Sequence, residues 1–187
     1  MNDFTFSVPQ NIMVGRGSLA KLPEAARQLG GSHAFIISGP HLTKMGLVDK
    51  VSDSLKAAGF AVDAFTETEG NPSTDTVEKA AAAYKASGAD FIVAFGGGSP
   101  MDTAKAAAAR IVRPNRTVEQ MTGLFKVMHA LPPFIAVPTT AGSGSETTIA
   151  AVITNEKTHH KHAIMDLCLV PRFAVLDARS WANGLRR

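Results

Sequence analysis

The sequence predicts an α/β fold in which a parallel sheet carries helices on both faces. Three observations lead there. Short, wholly apolar runs alternate along the chain with amphipathic stretches of helical period. The runs lack the polar-apolar alternation of strands that face water on one side, so both of their faces are buried. Glycine and proline punctuate nearly every junction. At 187 residues the chain is long enough for one domain with a proper core.

The elements follow in order. Residues 4–8 alternate like a strand, and 11–15 form a second strand that could pair with them. Ser18 opens a helix to Leu29, stopped by Gly30-Gly31, and Pro23 inside it could split it. Residues 34–38 form a buried strand. Residues 41–58 read as one helix, with Leu42, Met45, Val48, Val51, Leu55 and Ala58 on one face and Gly59 after its end. A strand over 60–65 and a turn at Gly70-Asn71-Pro72 lead to an alanine-rich helix over 74–87. Strand 91–95 meets three glycines and a helix over 99–113, ended by Pro114. Another apolar strand covers 134–137. Beyond residue 140 the pattern changes to strands at 149–155 and 162–165 around a polar turn, then a short strand over 172–176.

Composition excludes several classes. Apolar residues at 45% and charged residues at 19% are ordinary for a water-soluble globular chain. No apolar run approaches the roughly 20 residues of a membrane span. No basic segment followed by an apolar one opens the chain, so no secretory signal is expected. A single cysteine, Cys168, fits the cytosol and reads as core. The net charge of +3 comes from the second half, where ten Lys/Arg over residues 110–187 face five Asp/Glu. These cations are scattered and not interleaved with aromatics, unlike a nucleic-acid-binding stripe.

Two segments carry chemistry. In Phe91-Ile-Val-Ala-Phe-Gly-Gly-Gly-Ser-Pro-Met-Asp-Thr-Ala-Lys105, a buried strand runs through glycines into a helix. The glycines admit a ligand close to the backbone, and the helix start offers free N–H groups and partial positive charge to a pyrophosphate. Ser99 is expected as N-cap, Pro100 at the first helical position and Asp102 at the third. The segment is neither G-x-G-x-x-G nor a Walker motif. In Val137-Pro-Thr-Thr-Ala-Gly-Ser-Gly-Ser-Glu-Thr-Thr148, hydroxyls and two glycines follow another apolar strand. Such a loop could wrap phosphate, ribose or a carboxamide. Each segment alone also reads as a tight turn or a solvated loop; two after parallel strands point to one ligand.

Together, Gly96-Gly-Gly-Ser-Pro-Met-Asp-Thr-Ala-Lys105 and Pro138-Thr-Thr-Ala-Gly-Ser-Gly-Ser-Glu146 resemble the two signatures of the iron-containing (group III) alcohol dehydrogenases in order and spacing. Gly15-Arg16-Gly17, Asn71-Pro72 and Leu176-Asp177 fall where that family has them. The resemblance implies a Rossmann-like, dehydroquinate synthase-like N-terminal domain that binds NAD(P). It places Gly96, Gly97, Gly98 and Ser99 along the pyrophosphate and Asp102 beside the nicotinamide-side ribose or ring. Thr139, Thr140 and Ser143 would border the cofactor from the other side. Thr148 and Lys161 would reach ribose and phosphate oxygens, and Asn71 the adenosine-side pocket. Glu146 would buttress its own loop.

The same resemblance implies a divalent iron, or zinc, held by one Asp and three His in a helical C-terminal half. On that reading residues 1–180 form the NAD(P)-binding domain, 181–187 begin the helical domain, and the metal ligands lie outside this chain, which alone would be inactive. Ala178 replaces a common proline and Ser143 a frequent threonine. His159, His160 and His162 lie in an expected hairpin turn and read as exposed polar residues; His33, His41 and His129 read as structural or exposed. Many relatives carry Asp where Gly39 stands, so Gly39 implies that NADP is favoured or used alongside NAD, with Ser38 and Thr43 near the 2′-phosphate. The implied enzyme interconverts a small alcohol with an aldehyde or ketone, is cytoplasmic and is a homo-oligomer, with no nucleic-acid or membrane partner. The competing reading is a non-catalytic module that binds nucleotide or docks on a partner; a lyase related to dehydroquinate synthase fits the Pro138-Thr-Thr loop less well.

Overall fold

The computed structural model describes residues 11–156 and 158–179. The expected strand over 4–8 and the segment 181–187 lie outside them. The chain runs through β1 (Asn11–Gly15), a 3₁₀ turn (Ser18–Lys21), α1 (Leu22–Leu29), β2 (His33–Ile37), α2 (Pro40–Lys44), α3 (Leu47–Ala57), β3 (Ala61–Phe65) and α4 (Thr74–Ser87). It continues through β4 (Phe91–Gly96), α5 (Gly98–Val112), β5 (Gly123–Leu124), β6 (Phe134–Pro138), β7 (Ala150–Thr154), β8 (Lys161–Met165) and β9 (Phe173–Asp177).

Six strands form one sheet in the order β1-β9-β6-β4-β2-β3, every pair parallel. Each apolar strand sends alternate side chains to opposite faces. Phe35, Ile37, Ile92, Ala94, Phe134 and Ala136 pack on one side against α4 and α5. Ala34, Ile36, Phe91, Val93, Ile135 and Val137 pack on the other against α1 and α3. Two cores, one on each face, explain why these strands are apolar at every position. Alanines 106–109 of α5 are fully buried, and their small side chains let the helix lie close to the sheet. The second sheet, β5-β8-β7, joins an antiparallel β7–β8 pair to a short parallel strand and rests on α5.

The structure differs from the sequence reading at several junctions. The helix expected over 18–29 is divided, with Pro23 in the first turn of α1 after the 3₁₀ turn. The helix expected over 41–58 is two helices, because Gly46 adopts a left-handed φ of 67° and caps α3 anew. β1 pairs in parallel with β9 along residues 11–15. β5 was not anticipated. Cys168, read as core, is half-buried and packs against the edge of the core, and burial pushes its thiol up to about 12. Among the described residues no helix is long and apolar enough to cross a membrane.

Candidate functional site

The strand order creates the site. From β2 the chain goes outward to β3, whereas from β4 it goes the other way, to β6. The segments leaving β2 and β4 therefore diverge, and ligands of open α/β sheets bind in the crevice at such a switch point. A cavity of about 480 Å³ opens there, within the usual range for small-molecule sites. A second of about 510 Å³ shares Leu47 and Thr139 with it and continues toward Gly17 and Asp177.

Gly39, Gly96, Gly97, Ser99, Thr139 and Thr140 line the first cavity. At the first loop, Gly96 has φ +149°, and a Cβ there would fall 2.7 Å from the Pro100 ring. A Cβ at Gly97 would fall 3.1 Å from the Thr140 hydroxyl. These glycines are needed for backbone shape and for close approach of the two loops. The N-cap of α5 is Gly97, not Ser99 as the sequence suggested, and no side chain caps it. The cap lies two residues earlier because Gly97 takes the extended conformation of a cap (φ −80°, ψ −161°), which places Ser99 and Pro100 already inside the first turn. The amides of Gly98 and Ser99 then have no intrahelical acceptor. A Gly98 Cβ would fall 3.4 Å from Ser143, so the two loops run close together here.

The second loop is anchored at both ends. The Thr139 amide donates to the Gly96 carbonyl at 2.8 Å, tying the root of one loop to the root of the other. Thr139 is buried while Thr140 and residues 141–143 are exposed. Gly142 and Gly144 take left-handed φ values of 104° and 66°. At the far end, Lys105 donates to the Thr148 carbonyl at 2.6 Å, to Thr148 Oγ1 at 3.1 Å and to the Ala150 carbonyl at 3.0 Å. Burial lowers the Lys105 ammonium to about 8 against the opposing pull of Asp102 and Glu146.

Several expected residues have contacts or positions the sequence did not indicate. Asp102 Oδ2 accepts from the Val152 amide at 3.2 Å. Burial raises its carboxyl, with Val152, Lys105 and Ser145 acting in the opposite direction. The Thr148 hydroxyl already accepts from Lys105 and lies 3.3 Å from the Ala150 carbonyl, to which it donates. Lys161 is exposed at the start of β8, opposite Thr154, and Asn71 is exposed with a left-handed φ of 57°. Neither lines the cavity. One Glu146 carboxylate oxygen is buried without a hydrogen-bond partner, so no such bond buttresses the loop from it.

Gly39 has a packing reason that the sequence concealed. Its φ is −113°, open to any residue, but a Cβ would fall 2.7 Å from the Thr68 carbonyl oxygen. Ser38 is fully buried with its hydroxyl unpaired, and the Thr43 hydroxyl donates to the Gly39 carbonyl at 3.0 Å. Neither lines the cavity. Instead, the close approach of residue 68 brings Thr68, Glu69 and Gly70 to its wall, opposite His41, Leu42 and Met45. Sequence reasoning missed these as wall residues, because the wall assembles from separate elements; His41 is exposed, as expected, and also borders the cavity.

The two loops that meet across this cavity match a known pattern: the model for iron-containing alcohol dehydrogenases matches residues 9–178. The chain belongs to that family. It is 36% identical over 174 residues to the "Probable alcohol dehydrogenase EutG" of Escherichia coli (strain K12), covering 93% of this chain and 44% of that protein. It is 36% identical over 176 residues to an "NADPH-dependent butanol dehydrogenase" of Clostridium saccharobutylicum, with 92% and 44% covered. The solved sulfoacetaldehyde reductase from Bifidobacterium kashiwanohense in complex with NAD+ superimposes with a TM-score of 0.84 at 29% identity, covering 97% of this chain and 48% of that chain. The chain thus spans less than half the length of these relatives. Among the described residues no three His, Cys, Asp or Glu side chains gather as a metal site. His162 Nδ1 instead lies 3.1 Å from the Thr122 hydroxyl.

Proposed function

We propose that this chain binds NAD(P) between its two glycine-containing loops, as the cofactor half of an oxidoreductase that interconverts an alcohol with an aldehyde or ketone. The observation that carries the reading is the cavity at the β2/β4 switch point, walled by Gly39, Gly96, Gly97, Ser99, Thr139 and Thr140. The free amides of Gly98 and Ser99 at the start of the fifteen-residue α5 suit a pyrophosphate. Thr139 and Thr140 offer hydroxyls from the opposite wall. Asn71, Gly98, Asp102, Ser143, Thr148 and Lys161 stand around this cavity rather than in it. We assign Asp102, Ser143 and Thr148 to shaping the loops and the Gly98 amide to the pyrophosphate, and leave Asn71 and Lys161 as contacts to the outer parts of the dinucleotide.

Cofactor choice follows from the adenosine end. Gly39 offers no carboxylate to a ribose, and exposed Glu69 on the same wall opposes a 2′-phosphate by charge. These effects act in opposite directions, and we propose dual use of NAD and NADP. In the complete protein a divalent iron or zinc would act as Lewis acid toward the substrate oxygen; the described residues of this chain bind and orient the dinucleotide. A homo-oligomer in the cytoplasm completes the reading. Fluorescence titration of the chain with NADH and NADPH tests it. Saturable binding of both, within tenfold of each other, is expected, with no alcohol turnover when iron or zinc is added. No binding of either, or metal-dependent turnover by this chain alone, overturns it.

A further inference from the structure

Lys105 is fully buried, yet it carries an ammonium whose three hydrogens meet three oxygens of one short segment, Thr148 and Ala150. An apolar side chain of similar length would fill the same space without the desolvation that a buried cation requires. The position of its acceptors gives the reason. α5 is the helix that starts at the first loop, and Thr148 closes the second loop just before β7 begins. One turn earlier on the same helix, Asp102 accepts from the Val152 amide of β7. β7 pairs with β8 on one side; on its other edge Thr154 meets Pro72 and Ser73, and the stretch before it, up to Val152, faces the helix. Asp102 and Lys105 supply that edge with an acceptor for its N–H and donors for its carbonyls.

We propose that Lys105 is a positioning residue for the cofactor site, fixing the end of the second loop to the helix that carries the first and so setting the gap between the two loops. The proposal rests on the reading of this cavity as the dinucleotide site. The root of the second loop is fixed to the first by the Thr139 amide on the Gly96 carbonyl. The exposed span over 140–143 hangs between that bond and the Lys105 bonds. With the Lys105 end released, Ser143 and Thr140 are free to leave their places against Gly98 and Gly97.

The test uses the whole chain and two variants, Lys105→Met and Lys105→Gln, read by NADH titration, thermal melting and amide hydrogen exchange without ligand. Met keeps the volume and removes every donor; replacing a buried charge by an apolar residue is often neutral or stabilising for a fold. The expected result is an NADH Kd at least fivefold weaker in Lys105→Met with an unchanged or raised Tm. Amides over 140–149 should exchange at least tenfold faster, while those of β4 and β6 are unchanged. Lys105→Gln, which keeps two donors, should fall between. Unchanged Kd and unchanged loop exchange in both variants overturn the proposal, as does a lowered Tm with no loop-specific change. If the wild-type chain binds no NADH, the dinucleotide reading fails by itself, and loop exchange decides whether Lys105 holds the loop. Should Lys105→Met fail to fold, the Gln variant gives the same two readouts.

Discussion

The two loops of the cavity are held in different ways. The first, at residues 96–99, is fixed by the backbone: a strand ends, glycines turn, and a helix begins, with no side-chain cap. The second, at 139–148, is fixed by neighbours: a Gly96 carbonyl at its root, and a buried lysine at its end. The difference separates what a motif specifies from what a fold supplies. Steric constraint excludes a side chain at Gly96 and crowds one at Gly97 in the first loop, whereas the second tolerates exposure along residues 140–143 because both its ends are tied.

The sharpest way to break this contrast is Gly96→Val. A side chain there meets Pro100 at 2.7 Å on a backbone at φ +149°. We expect a loss of about 2 kcal/mol in stability, in line with strained backbone positions. NADH affinity should fall more than tenfold, about 1.4 kcal/mol. Thermal melting and NADH titration check both. Next in size is the pair Gly39→Ala and Gly39→Asp. Both place a Cβ against the Thr68 carbonyl, so both should lose about 1–3 kcal/mol of stability. Only Asp adds a carboxylate, so the NAD-to-NADP affinity ratio should rise severalfold in Asp relative to Ala. Equal ratios would assign Gly39 to packing alone.

The fold was largely legible. Apolar runs marked the parallel strands, and their indifference to alternation marked a sheet covered on both faces, as Ile36 against one core and Ile37 against the other show. The break at Gly46 was harder to read, because the apolar face from Leu42 to Leu55 continues in register through it. At the site, Gly96, Gly97 and Thr140 were legible because their motifs are contiguous. His41, Thr68 and Glu69 were not, because they join the wall only when β2 and β3 pair and Gly39 packs on residue 68. Asp102 and Thr148 read as ligand contacts, and their bonds to β7 and Lys105 were not legible, since sequence gives no sign that the β7–β8 hairpin lies across α5.

The second loop gives a pH test of its own. Above about pH 8, Lys105 loses a proton and one of its donors, with Asp102 and Glu146 as the neighbouring charges. NADH affinity should weaken two- to threefold between pH 7.5 and 9 in the wild type and stay flat in Lys105→Met. Stability moves the other way. The folded pKa lies below the usual 10.5, so the unfolded chain binds the extra proton between those values, and Lys105's contribution to stability rises with pH across that window. The smallest effect is expected for Thr140→Val, which removes one exposed hydroxyl beside Gly97: a two- to threefold weaker NADH Kd and an unchanged Tm.

The central claim is that both loops close on one dinucleotide at the β2/β4 switch point. Amide hydrogen exchange of the chain with and without saturating NADH tests it most directly. The account predicts simultaneous slowing at residues 97–99 and 139–148, with the outer strands β1 and β3 unaffected. Slowing confined to one loop, or located away from both, would contradict it.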